Sequence, residues 1–374
     1  MRPRRLVLAA TFFMASAVPA PFQASAQDAY DLFLIAGQSN AEGRGSGGPE
    51  VPLGVGFEVR TGALDGFNAE PPSTPEAVPL RDPVGDSRGG SMWPAFAVRY
   101  HQLTGRGVIV IETARSSTSS VNGMSNWNWD VRDGAATGPR SLYVRALRAL
   151  DDVLDSTDML PTRAAPVRLG GVIWLQGESD ARKIARGELD VAEYAASLDA
   201  LLHQLRTDLD ARTIGTADAP PEIFLIPIGT EREGDTPAWA AVRAAQRSAC
   251  ERGLCHEAYG ASETLVDRGM LGNAHWNQLG LDEVGSGVAV SVAQALGVPP
   301  TSSGADPNGE ALLRVWPNPT VGGFQVSTAA VVYDTLGRRV ASVWAGERVE
   351  GLRPGTYAVQ PMGGGEPVRV TVLR

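Results

Sequence analysis

Four short apolar runs punctuate the first part of the chain: residues 31–36 (DLFLIA), 107–113 (GVIVIET), 171–175 (GVIWL) and 222–228 (EIFLIPI). They are rich in β-branched residues and do not alternate with polar ones. That pattern belongs to strands buried on both faces of a parallel sheet. Between the runs the apolar period becomes helical. Over 188–211, Val191, Tyr194, Leu198, Leu201, Leu202, Leu205 and Leu209 fall on one helical face. Helices are also predicted over 93–103, where Pro94 suits a first turn, and over 141–154, 238–250 and 279–296. Strands alternating with helices imply right-handed crossovers and a three-layer α/β/α domain.

Two stretches depart from this alternation. Residues 44–90 are rich in Gly and Pro with little periodicity, and are predicted to form a long loop bordering a site. Residues 297–310 have the Pro/Gly/Ser composition of a linker. Beyond it, short β-type runs at 330–333, 339–343, 355–360 and 368–373 predict a small all-β module. At the start, Arg2, Arg4 and Arg5 precede an apolar run from Leu6 to Val18, and Ala24-Ser25-Ala26 follows as a small-residue cleavage site. These are the three parts of a secretory signal. The expected organisation is a signal peptide over 1–26, an α/β domain over 27–297, a linker over 298–311 and a β-sandwich module over 312–374. No later segment approaches a membrane span.

Charge and cysteine content narrow the partners. The formal net charge of −9 makes nucleic acid a poor partner, because phosphate neutralisation needs a basic surface. Cys250 and Cys255 are the two cysteines, and either a short disulfide loop or two unpaired thiols fits them. No cluster of metal ligands is visible, so no metal is expected. Gly43-Arg44-Gly45-Ser46-Gly47-Gly48 is glycine-rich but lacks the Lys-Ser/Thr ending of a phosphate loop. No cofactor is expected.

In an α/β fold, ligands bind beyond the carboxyl ends of the strands. The residues there are Gly37-Gln38-Ser39-Asn40, Ser116-Ser117-Thr118, and Gln176-Gly177-Glu178-Ser179-Asp180; His275 precedes the last predicted helix. A serine hydroxyl needs a base to become a nucleophile, and histidine is the usual one. The oxyanion of a tetrahedral intermediate needs fixed donors. Taken singly, Ser39 reads as well as a helix cap, and His275 as an ordinary loop histidine. His101 and His203 fall within predicted helices.

These motifs resemble the SGNH-hydrolase superfamily, and within it the sialate O-acetylesterase-like domain shared by acetylxylan esterases of carbohydrate esterase family six. The resemblance rests on Gly37-Gln38-Ser39-Asn40, Trp174-Leu175-Gln176-Gly177-Glu178-Ser179-Asp180-Ala181, Val242-Arg243-Ala244-Ala245-Gln246 and the His275 segment, in family order. It implies a flavodoxin-like α/β/α fold and removal of acetyl groups from acetylated carbohydrate. Ser39 would be the nucleophile and His275 the base. The oxyanion hole would take the Ser39 N–H, the Ser117 N–H and the Gln176 side chain. Gln38 and Asn40 would shape the nucleophile turn, with Glu178 as a nearby carboxylate. Val315 to Thr320, Val332 to Arg338 and Leu352 to Tyr357 resemble the type IX secretion sorting domain, which implies export through an outer membrane by that machinery. A small carbohydrate-binding sandwich is the alternative for this module.

The chain departs from the family pattern twice. The family usually has an Asp three residues before the His; here Gly272 stands there. Either a Ser–His dyad operates, or Asp267 or Glu178 substitutes. Ser116-Ser117-Thr118 replaces the usual Gly-Gly-Thr or Gly-Gly-Ser, which bears on the backbone angles of the Ser117 donor. Trp127 and Trp129 are candidates for stacking on sugar, or else for packing. A catalytically weakened glycan-binding protein on the same scaffold is the competing reading.

Overall fold

The computed structural model describes residues 29–61, 75–84, 89–137, 140–155, 167–212, 220–230, 236–272 and 274–297. In the C-terminal part it describes 315–316, 320–321, 323–326, 330–335, 338–343, 348–361 and 368–373. The expected signal segment and linker lie outside the described residues.

The main sheet is built from β1 (Tyr30–Gly37), β2 (Gly56–Arg60), β3 (Glu76–Pro79), β4 (Gly107–Glu112), β5 (Val167–Leu175), β6 (Glu222–Leu225) and β7 (His256–Glu257). Their spatial order is β3-β2-β4-β1-β5-β6-β7. Neighbours run parallel, except that β3 pairs antiparallel with β2 at the edge. All eight residues of β1 are buried, which requires cover on both faces. The cover comes from α2 (Trp93–Thr104), α3 (Leu142–Asp155), α5 (Val191–Asp210), α6 (Pro237–Glu251) and α7 (Gln278–Ala295). Two shorter helices, α1 (Ser39–Glu42) and α4 (Glu178–Ala185), follow β1 and β5. The chain is thus a three-layer α/β/α protein. From β1 it passes to β4 on one side and then crosses to β5 on the other, so β1 lies at the switch point where such folds bind ligands.

The stretch predicted as a long loop contains β2 and β3, which corrects that expectation. Both are short, and β3 is the edge of the sheet, with β2 between it and β4. β2 is only five residues long, and its Phe57-Glu58-Val59-Arg60 alternation spans too few positions to stand out in a Gly/Pro-rich stretch; β3 ends in a proline and does not alternate.

Two features fix β1 in place. At its start, Asp31 is fully buried and paired with Arg106 Nε and Arg168 Nε, each at 2.8 Å, and it accepts the Tyr100 hydroxyl. Removing one partner of such a buried pair costs about 3–5 kcal/mol. On its β5 side the register slips between Leu32 and Phe33, leaving Gly170 as an extra residue. Gly171 then has φ +137°, and a Cβ there would lie 1.8 Å from the Glu222 carbonyl oxygen. The bulge re-aims the rest of β5 toward the site.

In the C-terminal part, strands form a three-stranded and a five-stranded sheet, mostly antiparallel. They have an apolar cluster of their own, including Phe324, Val326, Val332, Val359 and Val370. The runs expected at 330–333, 339–343, 355–360 and 368–373 are all strands there. Cys250 and Cys255 form a disulfide, which decides between the two alternatives. Among the described residues, no helix is long and apolar enough to cross a membrane.

Candidate active site

β1 ends at Gly37, with φ +136°. A Cβ there would lie 1.9 Å from the Leu175 carbonyl oxygen, so the position admits glycine alone. The Gln38 N–H donates to that same oxygen at 2.9 Å. The chain then turns into α1, whose first residue is Ser39, and at the start of a turn its N–H has no acceptor four residues back. The Gly37 carbonyl accepts from the Arg115 N–H at 3.1 Å and from Trp129 Nε1 at 3.2 Å. The loop after β4 is thereby fastened beneath the serine turn.

Asn40, the next residue, reaches in two directions. Its Nδ2 donates to Glu178 Oε1 at 2.8 Å, and its Oδ1 accepts the Trp276 N–H at 3.1 Å. This contact brings the Ser39 turn and the His275 loop together. The loop is a narrow one: the Gly272 N–H donates to the His275 carbonyl at 2.7 Å, and the Asn277 N–H donates to the Met270 carbonyl at 2.9 Å. The Asn277 side chain then caps α7 by accepting the Gly280 N–H.

The His275 ring is half-buried. Burial lowers its pKa, and the Arg44 and Arg182 guanidiniums lower it further. No ion pair joins it to a carboxylate among the described residues. Asp267 is exposed, and Glu178 is engaged by Asn40. Neither takes the place of the missing aspartate. A Cβ at Gly272 would be 3.3 Å from the His275 carbonyl oxygen, so a side chain at that position would lie next to the histidine. Arg44 is held by Glu42 at 2.8 Å and bonds Ser116, which also bonds Glu42.

The first turn of α4 carries two buried carboxylates. Glu178 accepts from Asn40, and Asp180 accepts the Ser119 hydroxyl, the Ser120 N–H at 3.1 Å and Gln176 Nε2. Burial pushes the pKa of both groups up. Gln38 Oε1 accepts the Ser179 N–H at 3.3 Å, tying α4 back to the serine turn.

Several sequence expectations change here. Gln176, expected as an oxyanion donor, is 0% exposed, and its Nε2 donates to Asp180 and to the Thr118 carbonyl at 3.2 Å. Its amide hydrogens are spent on holding the loop after β4. Trp129, a candidate for sugar stacking, is 1% exposed, with its ring edge against Trp174. Trp127 is half-buried between the guanidiniums of Arg115 and Arg145, 4.8 and 4.6 Å from its ring centre. Ser117 is exposed and has φ +60°. It adopts the left-handed conformation that the family's glycine would take freely, at a cost of about 1–2 kcal/mol.

Other contributors were not singled out by the sequence reading. Arg44 and Arg182 act on His275, and Asp180 gathers the loops. Gln246 of α6 accepts the Ile228 N–H at 3.0 Å and donates to the Gln176 carbonyl at 2.7 Å. Asp180 and Gln246 stand inside the quoted motifs, so the motifs held the signal. Arg44 lies in a glycine-rich stretch that gave none. Among the described residues, no group of three or more His, Cys, Asp or Glu could hold a metal ion.

Because Glu178 has a raised pKa when folded, the folded state binds more protons than the unfolded chain above about pH 4.3. Stability from this group is therefore present at low pH and falls as pH rises toward the folded value. Glu178→Gln removes that dependence. Its Tm relative to wild type is expected to rise as pH increases above about 4.3. Thermal melts across that range check it, and a Tm difference that stays constant contradicts it.

Comparison of the sequence with curated proteins finds no match. Among solved structures, the chain is similar to NanS (15% identity, TM-score 0.49, covering 72% of this chain and 98% of that one). It is similar to a carbohydrate acetylesterase from Xanthomonas citri (16% identity, TM-score 0.44, covering 90% and 74%). It is also similar to Axe2, an acetylxylan esterase from Geobacillus stearothermophilus (13% identity, TM-score 0.37, covering 72% and 96%). Residues 29–289 match the family described as carbohydrate esterase, sialic acid-specific acetylesterase. That match spans well over half of the chain, which therefore belongs to this family and is an acetyl-removing serine esterase.

Proposed function

We propose that the protein removes acetyl groups from sugars or polysaccharides by a Ser39–His275 acyl-enzyme mechanism. The observation that carries the reading is the Asn40 contact, which joins the residue after Ser39 to the residue after His275. In this mechanism His275 takes the Ser39 hydroxyl proton as the oxygen attacks the acetyl carbonyl. The Ser39 and Ser117 N–H groups stabilise the oxyanion. The sugar hydroxyl leaves with the proton from His275. Water, activated by the same ring, then releases acetate and frees Ser39. Hydrolysis of 4-nitrophenyl acetate tests the reading: Ser39→Ala is expected to be inactive, and activity equal to wild type would sink it.

That no carboxylate among the described residues pairs with His275 favours a second reading, a weakened enzyme that chiefly binds glycan. Robust labelling of Ser39 by a serine-directed phosphonate excludes it. Gly272→Asp separates a weak dyad from a full one. An added carboxylate near the ring is expected to raise kcat/KM by about tenfold or more. It is also expected to move the acid limb of the pH–rate profile upward from its wild-type position below the ordinary imidazole value of about 6.5. An unchanged rate and profile would show that the position does not serve the ring.

The chain is further read as exported, on the strength of the arginines, the apolar run and the small-residue site that ends at Ala26. The C-terminal strand module, with its resemblance to a type IX sorting domain, fits the same route. N-terminal sequencing of protein recovered from the native host is expected to start at Gln27; a mature chain that keeps Arg2 contradicts export by this signal.

A further inference from the structure

We infer that Asn40 is a positioning residue for His275: its buried carboxamide spans Glu178 and the Trp276 N–H, and so sets the imidazole against Ser39 where no carboxylate among the described residues pairs with the ring. The inference rests on the Ser39–His275 reading and adds to it the means by which the base is held.

The orientation of the carboxamide is fixed by chemistry. A peptide N–H can only donate, so the Asn40 oxygen faces Trp276 at 3.1 Å and the NH2 faces the Glu178 carboxylate at 2.8 Å. Both contacts are buried, where an unmet donor or acceptor costs about 1–3 kcal/mol. Nothing shorter spans the gap, since a serine at position 40 has one oxygen and no second arm. An aspartate has the right shape but sets two carboxylates face to face. Each end of the bridge is rigid. Glu178 sits in the first turn of α4, and Trp276 is buried just before α7.

The bridge acts close to the chemistry. Asn40 follows Ser39, and Trp276 follows His275. A shift in the bridge therefore moves one catalytic residue relative to the other with one peptide unit of slack on each side. A triad carboxylate would orient the ring directly; here the backbone beside the ring is held instead. Glu178 bonds Asn40 and makes no ion pair with the His275 ring, so its contribution to the base passes through the amide.

The test exchanges the two groups. Asn40→Ala is expected to lower kcat on 4-nitrophenyl acetate by about 10²-fold, with KM little changed, as for a misplaced catalytic group. Asn40→Asp opposes Glu178 with a second carboxylate. Its kcat is expected to fall most at high pH and to recover as pH drops and the pair shares a proton. Adding Glu178→Gln to Asn40→Asp restores the bridge with donor and acceptor exchanged. The double variant is expected to regain kcat to within about tenfold of wild type and to lose the steep decline at high pH. The exchange keeps side-chain size, so it remains informative if Asn40→Ala fails to fold. The inference is overturned if Asn40→Ala keeps wild-type kcat and pH profile, or if the folded double variant does no better than Asn40→Asp alone. Ser39→Ala is run in parallel: if it stays active, the underlying Ser39–His275 reading has failed, whereas an inactive Ser39→Ala beside an unaffected Asn40→Ala defeats only the role given to Asn40.

Discussion

Two carboxylates in the first turn of α4 hold the site together. A charge taken out of water is costly unless its lone pairs find donors; Asp180 takes several, and Glu178 takes one at Oε1 while its buried Oε2 has none among the described residues. Asn40 comes from the turn after β1, Ser119 and Ser120 from the loop after β4, and Gln176 from the end of β5. The bonds that these acids do accept draw the loops together. Their place at a helix N-terminus also aligns them favourably with the helix dipole. Their raised pKa values are the signature of the burial this arrangement requires.

The carboxylates act on a strand already anchored. β1 is fastened at its start by the buried Asp31 cluster and at its end by the Gly37–Leu175 contact. The serine turn therefore has little freedom of its own. Its position is set by the sheet, while the position of His275 is set by loops. The Asn40 bridge therefore joins a half of the site set by the sheet to a half set by loops.

Much of this was legible in the sequence. The runs at 31–36, 107–113, 171–175 and 222–228 read as strands because burial on both faces leaves an unbroken apolar signature. β2 and β3 were missed, since both are very short and lie in a stretch rich in Gly and Pro, with β3 a proline-ended edge strand. The short α4 was missed as well: it opens Glu-Ser-Asp and is only eight residues long. Ser39 and His275 stood out through their order after the strands. Gln176 and Trp129 were read for residue type, yet their surroundings decided their roles. A buried amide with two internal acceptors has no hydrogen left for a ligand, and an indole pinned to the Gly37 carbonyl has no free face. Arg44 acts on His275 from 231 positions away in the sequence, a relation that no local pattern encodes.

The disulfide has a consequence for the edge of the sheet. Cys250 lies near the end of α6, and Cys255 immediately precedes β7, the last strand in the sheet order. The loop it closes is so short that chain entropy yields only about 2 kcal/mol, too little for the fold to depend on it. Its effect is local. β7 is two residues long, and an outermost strand that short would readily peel away and leave the backbone groups of β6 open to a strand from another molecule. The cross-link pins β7 to a helix, and so works as a guard against edge-to-edge aggregation.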